Sequence, residues 1–205
     1  MPTQAFYNLS EEKKERIMKV AKQEFRKHSF YDVSINKIIK EADISRGSFY
    51  LYFENKKDLF IYIMDLYKLQ RLNDIKERFQ GRKCTIFDLM IITFDDFTSD
   101  EKDNEMKEFF LMTILNMDTR LAVQLFSMPE HFNDFQSEMA DFLDVSDMRI
   151  SNDSDLKNII EIIGCCLMTQ LFAVHMDQMD VGEARATLER KCNLIKYGVL
   201  KPEAR

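Results

Sequence analysis

The sequence is poor in the residues that form tight turns. Its 205 residues include 5 glycines and 3 prolines, and tryptophan is absent. Hairpin-rich proteins need many turn-forming residues, so an all-β fold is disfavoured by composition. Long stretches of Glu, Lys, Leu, Ile and Met instead favour helix. We therefore expect an all-α protein.

The sequence also lacks a targeting segment and a long uninterrupted apolar run. Residues 1–9 have neither the basic start nor the apolar core of a secretory signal. The most apolar stretch, residues 162–176, is interrupted by Thr169, Gln170 and His175. It is also shorter than the roughly 20 residues needed to cross a bilayer. The expected location is the cytoplasm, with no membrane partner.

Signatures of metal, disulfide and catalytic sites are missing too. The four cysteines show no CxxC spacing, and the adjacent Cys165 and Cys166 lie in an apolar run where cysteine acts as a small hydrophobe. His131 and His175 have no metal-binding partner at helical spacing. The sequence contains no glycine-rich phosphate loop and no nucleophile–base pair. No enzyme activity, cofactor or metal is expected.

Charge is divided unevenly along the chain. The net charge is −6, but residues 1–70 hold 13 Lys and Arg against 10 Asp and Glu, a net +3, and the rest carries −9. A mildly basic N-terminal third joined to an acidic remainder suits a protein that meets phosphate at one end only.

Four helices are predicted in the first third of the chain. Ser10 precedes an amphipathic first helix, Ser34 a short second one and Ser45 a short third one, each with a side chain that can cap the helix start. Asn55 begins a fourth helix, which we expect to run to about Phe79.

The second and third predicted helices, joined by a short turn and resting on the first, form a helix-turn-helix. Such a unit needs a small apolar core to fix the angle between its two short helices. The residues available for that core are Ile35, Ile38, Ile39, Ala42 and Ile44. The third helix is then free to present a small polar face to the major groove.

The start of the third helix carries side chains suited to DNA. Arg46 can form a forked pair of hydrogen bonds with guanine, and Ser45 and Ser48 can reach base edges or phosphate. Gly47 permits close approach of the backbone. These four residues are predicted to contact DNA.

The end of the third helix offers further polar contacts. Tyr50 and Tyr52 place hydroxyls at the height of the phosphate backbone. Lys56 can share a phosphate with the free backbone N–H groups at the start of the fourth helix. Phe49 and Phe53, in contrast, are expected in the core, and Tyr52 could lie either there or at the DNA.

The stretch from Ser34 to Leu59 resembles the signature of the TetR family of bacterial regulators. The most specific part is the segment Phe-Tyr-x-Tyr-Phe-x-x-Lys-x-Asp-Leu that begins at Phe49. The resemblance covers about residues 10–60. It implies phosphate contacts by Ser34, Ser45, Tyr50 and Lys56, and base contacts by Arg46 and Ser48.

Asp43 departs from the family pattern, which usually has glycine at this position of the turn. Aspartate tolerates the left-handed backbone conformation better than most residues, so we expect the turn to form with some strain. The residues before Lys13 include no Lys or Arg, so no minor-groove arm is expected.

The remainder of the chain is predicted to be helical, over about 84–98, 103–117, 119–127, 131–144, 154–177 and 181–198. Phenylalanine and methionine crowd residues 84–143. Most such residues form core, but Met and Phe also line adaptable apolar pockets. The predicted contacts of a small apolar or amphipathic effector are Phe87, Met90, Phe94, Phe109, Met112, Thr113, Asn116, Phe126, Phe132, Phe135 and Met139.

The last two predicted helices are expected to form a homodimer. Helix 154–177 is apolar over most of its circumference, so one side can pack inward while another meets a partner chain. The resemblance to the family implies that both helices pair with their copies. The predicted interface residues are Leu156, Ile160, Ile163, Leu167, Leu171, Leu188 and Ile195. Two-fold symmetry would then present two recognition helices to one palindromic operator.

These predictions divide the chain into a helix-turn-helix domain at 1–55, continued by the connecting helix 55–79, and an effector-binding and dimerisation domain at 56–205. The expected function is a repressor that releases operator DNA when an effector binds, because the fourth helix changes the separation of the recognition helices. Two alternatives stay open. One is a ligand-independent DNA-binding protein whose C-terminal domain is only a dimer scaffold. The other is a ligand-binding protein whose helix-turn-helix no longer functions.

Overall fold

The computed structural model describes residues 1–99, 105–115 and 143–198 and confirms the all-α class. The described helices are α1 Gln4–Tyr7, α2 Glu11–Lys27, α3 Ile35–Glu41, α4 Arg46–Tyr52, α5 Lys56–Phe79, α6 Ile86–Thr98, α7 Glu105–Leu115, α8 Asp153–His175 and α9 Val181–Tyr197. The helices predicted at 119–127 and 131–142 lie outside the described residues.

Of the three serines predicted to cap helices, two do so. The Ser34 hydroxyl accepts a hydrogen bond from the Lys37 N–H, and the Ser45 hydroxyl accepts one from the Ser48 N–H. Ser10 makes no such bond, which corrects the prediction that its side chain caps α2. The acidic residues in the first turn of α2 still favour the positive end of the helix dipole.

Contacts group the described residues into two units. The N-terminal unit contains residues 1–75 and 105–115, and the C-terminal unit contains residues 76–99 and 143–198. The chain therefore leaves the N-terminal unit within α5 and returns to it for α7.

The N-terminal unit is built on an aromatic core. α3 and α4 pack against each other, α2 supports α3, and α7 packs along α2. Phe25 joins the helices, because its ring lies 5.1 Å from that of Phe60 on α5 and 6.5 Å from that of Phe109 on α7, between centroids. The fully buried side chains of this core include Phe6, Ile17, Phe25, Ile38, Phe49, Phe53, Phe60 and Phe109.

The C-terminal unit is formed by α6, α8 and α9, each packed against the other two. Its buried side chains include Leu89, Phe94, Ile163, Leu167, Leu171 and Leu188. Arg185 on α9 forms two hydrogen bonds with the carboxylate of Asp95 on α6, at 2.7 and 3.1 Å. A single β-bridge joins Cys84 and Leu143 just outside these helices.

One described helix is long and apolar enough, by length and composition, to cross a membrane. It spans Ser154–His175, with a mean hydropathy of 1.5 and 28% of the stretch buried. This differs from the expectation based on the shorter run 162–176. Because α8 packs against both α6 and α9, its composition is also that of a core helix with one outward face.

Candidate nucleic-acid interface

The turn between α3 and α4 has the geometry of a helix-turn-helix. Asp43 adopts the left-handed conformation that its sequence position predicts, with φ of 52°. The Ile44 N–H donates to the Ile39 carbonyl at 3.1 Å, and Ala42 is fully buried. The turn is thus closed by backbone bonds, which fixes the angle between the two short helices.

α4 has one buried face and one exposed face. Phe49 and the adjoining Phe53 are fully buried, whereas Arg46, Gly47 and Tyr50 are exposed. Packing on one side leaves the start of the helix open to a ligand on the other. Two further predicted DNA contacts, Ser45 and Ser48, lie at that open end, and their hydroxyl oxygens are 2.8 Å apart.

Tyr52 lies on the core side of α4, which is one of the two places that the sequence left open for it. Its side chain is 5% exposed, and its ring packs edge-on against Phe6 with centroids 6.2 Å apart. A residue two positions after Tyr50 lies on the opposite side of the helix, which here faces the core. Tyr52 therefore stabilises α4 and is removed from the predicted phosphate contacts.

Arg46 has a partner that the sequence did not predict. Its Nη1 donates to Asn36 Oδ1 on α3 at 3.1 Å, and its guanidinium lies 5.6 Å from the centroid of the Tyr50 ring. A hydrogen bond and a ring contact both restrict a long side chain that would otherwise sample many rotamers. The exposed amide of Asn36 on the second residue of α3 was the only signal in the sequence.

Gly47 has no internal reason to be glycine. A Cβ at this position would meet only the Ser45 hydroxyl, at 3.8 Å, which is an ordinary contact. Glycine within a helix destabilises it by roughly 0.5–1 kcal/mol relative to alanine. Nothing within the described residues therefore requires the side chain to be missing at this position.

Lys56 is held more firmly than the sequence indicated. Its Nζ donates to the carbonyls of Tyr31 at 2.8 Å and Val33 at 3.1 Å, and it lies 5.1 Å from the centroid of the Phe30 ring. Burial lowers the pKa of Lys56. Two of its three N–H groups thus tie the start of α5 to the segment before α3, which leaves one for a phosphate.

Replacing Lys56 with methionine should have two separable effects. The free energy of unfolding should fall by about 1–2 kcal/mol, because two carbonyls lose their donor while the aliphatic stem is kept. The salt dependence of DNA binding should fall by about one in slope if the ammonium also meets a phosphate. Lys57→Met is the control, since it removes a neighbouring charge. Equal loss of stability in both variants would contradict this role of Lys56.

Glu24 on α2 binds the start of α3 through Ser34 and Lys37, and the sequence did not predict this role. Its side chain is 4% exposed, its carboxylate lies 2.7 Å from Lys37 Nζ, and it accepts a hydrogen bond from the Ser34 N–H at 3.3 Å. Burial alone would raise the pKa of Glu24. The hydrogen bonds from Lys37 and Ser34, with the charges of Lys37 and His28, bring that pKa below its ordinary value.

Replacing Glu24 with glutamine should destabilise the protein by about 1–3 kcal/mol at neutral pH, because a charged hydrogen-bond acceptor is lost at a buried position. The folded pKa is lowered, so the contribution of Glu24 is present above its unfolded pKa and is lost as pH falls through the folded value. Urea unfolding at pH 7 and below pH 4 tests this. The variant and the wild type should converge in acid, and Glu15→Gln, an exposed site on α2, should change little at either pH.

Family sequence models match both parts of the chain. The model described as "Bacterial regulatory proteins, tetR family" matches residues 17–63. The model described as "Tetracyclin repressor-like, C-terminal domain" matches residues 85–199. The chain belongs to the TetR family. Both models describe regulatory proteins, so the chain is a member of a family of bacterial transcriptional regulators.

Curated relatives match part of this TetR-family regulator. The uncharacterized HTH-type transcriptional regulator YerO of Bacillus subtilis is 34% identical over 97 residues, which are 45% of this chain and 33% of YerO. The uncharacterized regulator YdgC of the same organism is 39% identical over 49 residues, 24% of this chain and 25% of YdgC. The matches span one third or less of those relatives.

Solved structures share the fold over most of the chain. A TetR family transcriptional regulator from Chloroflexus aurantiacus J-10-FL has a TM-score of 0.51 at 19% identity, covering 96% of this chain and 97% of that one. FadR from Bacillus subtilis, solved in complex with stearoyl-CoA, has a TM-score of 0.52 at 18% identity, covering 90% and 98%.

The predicted effector contacts fall into both units of the regulator. Phe87, Met90 and Phe94 belong to the C-terminal unit, whereas Met112 and Thr113 belong to the N-terminal unit. Met112 lines an open groove of about 310 Å³ together with Gln23, Arg26, Lys27 and Glu108. Asn116, Phe126, Phe132, Phe135 and Met139 lie outside the described residues.

Phe109 corrects the effector prediction. It is fully buried and belongs to the core that holds α2 and α5 of the N-terminal unit. Sequence position had placed it with the neighbouring Phe and Met residues of the C-terminal half. The return of the chain to the N-terminal unit at α7 explains the difference, because this return is not visible in the local pattern.

Most of the predicted dimer residues are buried within their own unit. The buried ones are Ile160, Ile163, Leu167, Leu171 and Leu188, while Leu156 and Ile195 are partly buried. The sequence identified the apolar stripe of α8 but could not tell which side of it faces α6 and α9. These five residues form core rather than a surface for a partner. The exposed large apolar side chains on α8 and α9 are Ile162 at 53%, Val181 at 42%, Leu194 at 50% and Tyr197 at 65%.

Proposed function

We propose that this regulator is a homodimer that represses transcription in the cytoplasm by holding a palindromic operator, and that a small apolar or amphipathic effector releases it. The observation that carries the proposal is the exposed start of α4. Arg46, Gly47 and Tyr50 stand on a helix whose other face is locked into the core by Phe49 and Phe53. A rigid helix with a small polar end fits the major groove.

The exposed faces of α8 and α9 support the dimer. Ile162 and Cys165 are exposed one turn apart on α8, and Leu194 and Tyr197 are exposed one turn apart on α9. Leu194 and Tyr197 also line a shallow depression of about 480 Å³. Exposed apolar side chains on two adjacent helices are typical of a protein interface, and the resemblance to the family implies that a second copy of the chain binds there.

An apolar or amphipathic effector is supported by the residue types at the predicted effector-binding positions. Phe87, Met90 and Phe94 lie along one helix; Phe87 is partly buried and offers an apolar contact, whereas Met90 and Phe94 are core side chains that would have to move to admit an effector. In the N-terminal unit, the buried hydroxyl of Thr113 has no hydrogen-bond partner within the described part of the chain, so it is a separate candidate for a polar contact there. Stearoyl-CoA, bound by the structural neighbour FadR, is an amphipathic molecule and guides the choice of test compounds.

α7 offers a direct route from effector to DNA. Phe109 is part of the core that supports the helix-turn-helix, and Glu108 forms an ion pair with Arg26 on α2. A ligand that displaces α7 would move α2, and with it α3 and α4. This route adds to the predicted one through α5. The half-sites of an operator repeat at about 34–36 Å per turn, so a small change in recognition-helix spacing costs affinity.

The proposal is tested by selecting bound sequences from a random duplex library with the purified protein. The enriched site should be a palindrome, and binding should weaken as salt rises. Long-chain fatty acids, acyl-CoAs and aromatic drugs are then screened by thermal shift and by release of the enriched duplex. No enriched sequence would overturn the DNA-binding proposal. A palindrome that no compound releases would favour a ligand-independent regulator.

A further inference from the structure

We propose that the N-terminal segment positions the recognition helix for operator binding, with Thr3 and Phe6 as the positioning residues. These two residues, which we call the N-terminal clasp, grip the C-terminal end of α4, opposite the end that carries Arg46. The inference rests on the proposed function only in that α4 is the recognition helix. The clasp acts through α4 rather than by touching DNA, since the first twelve residues contain no Lys or Arg.

Thr3 satisfies the free carbonyls at the end of α4. Its hydroxyl donates to the Leu51 carbonyl at 2.6 Å, and its N–H donates to the Tyr52 carbonyl at 3.0 Å. The last carbonyls of a helix have no partner within the helix. The last turn of α4 also has no basic side chain to meet them. Thr3, which is distant in sequence, therefore caps the C-terminal end of α4.

The hydroxyl of Thr3 does not cap the helix that Thr3 precedes. Thr3 stands at the N-cap position of α1, where a threonine side chain usually accepts a hydrogen bond from its own helix. No such bond is made here. The hydroxyl reaches across 48 positions of sequence to Leu51 instead. The start of α1 therefore has no side-chain cap, whereas the end of α4 has one.

Phe6 fixes the clasp to the core. Its side chain is 1% exposed, and its ring lies 4.9 Å from that of Phe53 and 5.6 Å from that of Tyr62 on α5, between centroids. It also packs edge-on against Tyr52 at 6.2 Å. The Phe6 ring thus contacts both the end of α4 and the neighbouring helix α5.

The geometry makes the clasp relevant to base contacts. α4 has seven residues, so its length is about 10 Å at 1.5 Å per residue. A tilt of about 10° at its C-terminal end would move Arg46 by about 2 Å, which is enough to misalign a forked hydrogen bond. Ser45 caps the other end, so both ends of α4 are held.

The experiment compares Thr3→Val and Thr3→Ser in the full chain. Valine keeps the shape but removes the hydroxyl, whereas serine keeps the hydroxyl. Thr3→Val should weaken binding to the selected operator by about 2–12-fold, the equivalent of one hydrogen bond, with unchanged affinity for an unrelated duplex. Thr3→Ser should restore operator binding. Both variants keep Phe6, so the unit should still fold.

Amide exchange provides a second measurement that needs no DNA. The amides of α4 should exchange faster in Thr3→Val by a similar factor, and return to the wild-type rate in Thr3→Ser. Unchanged exchange in α4, or an equal loss of affinity for operator and unrelated duplex, would overturn the inference. If the wild type selects no operator, the proposed function fails while the exchange result still decides whether the clasp holds α4.

Discussion

A regulator carrying Ile162→Glu and Leu194→Glu is expected to be monomeric and to bind its operator about 10²–10⁴-fold more weakly. Both side chains are half exposed on the outer faces of α8 and α9, so a carboxylate there is solvated in the monomer. In a two-fold dimer the same carboxylates would be buried against apolar groups, which is strongly unfavourable. A monomer loses the second half-site, and with it the gain from linked binding.

The matched control is Leu69→Glu, which changes a leucine that is 51% exposed on α5 in the N-terminal unit. It should leave both the dimer and the operator affinity unchanged. Light scattering after size-exclusion chromatography and fluorescence anisotropy measure the two quantities. A double variant that stays dimeric would place the interface elsewhere. Truncation before Ser154 is a poorer test, because it removes side chains that form the core of the C-terminal unit.

Arg46→Ala is expected to relax base preference at one position of each half-site by about 1–3 kcal/mol, or roughly 5–150-fold in discrimination. The guanidinium is the one forked donor among the exposed side chains described at the start of α4. It is oriented by Asn36 and stacked on Tyr50. Removing it should erase the preference for guanine while other positions of the operator remain selective.

Arg46→Lys separates geometry from charge in that experiment. Lysine keeps the positive charge, so the salt dependence should persist, but it cannot form the forked pair in the same plane. Binding is measured on duplexes with all four base pairs at each operator position. An alanine variant that loses the same affinity on every sequence would show that Arg46 contacts phosphate and not a base.

The helix-turn-helix could be predicted from sequence because its signals are local. Ser34 and Ser45 mark helix starts through bonds to residues three positions away, and Asp43 supplies its own left-handed turn. The exposed face of α4 follows from helical periodicity once Phe49 is assigned to the core. The side of α4 on which Tyr52 lies could not be predicted, because the side chain that covers it, Phe6, comes from a helix too short to show a period.

Elsewhere the local pattern predicted the helices correctly but did not show which helices pack against one another. The sequence located α8 and its apolar stripe, but Ile163 and Leu167 can face a neighbouring helix or a second subunit equally well. Phe109 likewise belongs to an apolar helix whose partner, α2, lies about eighty positions earlier. Glu24 reads as an ordinary charge on an amphipathic helix, and only its 2.7 Å pair with Lys37 shows its role.

The sequence by itself determined the helical class, the helix-turn-helix and the exposed start of α4, since these depend on spacing, caps and turns within a few residues of one another. Tertiary structure alone decided what each helix packs against: that Thr3 caps α4, that α7 returns to the N-terminal unit, and that Ile162 rather than Ile163 faces outward. The physical reason is that apolar burial has no direction of its own, so its partners are chosen by the whole fold.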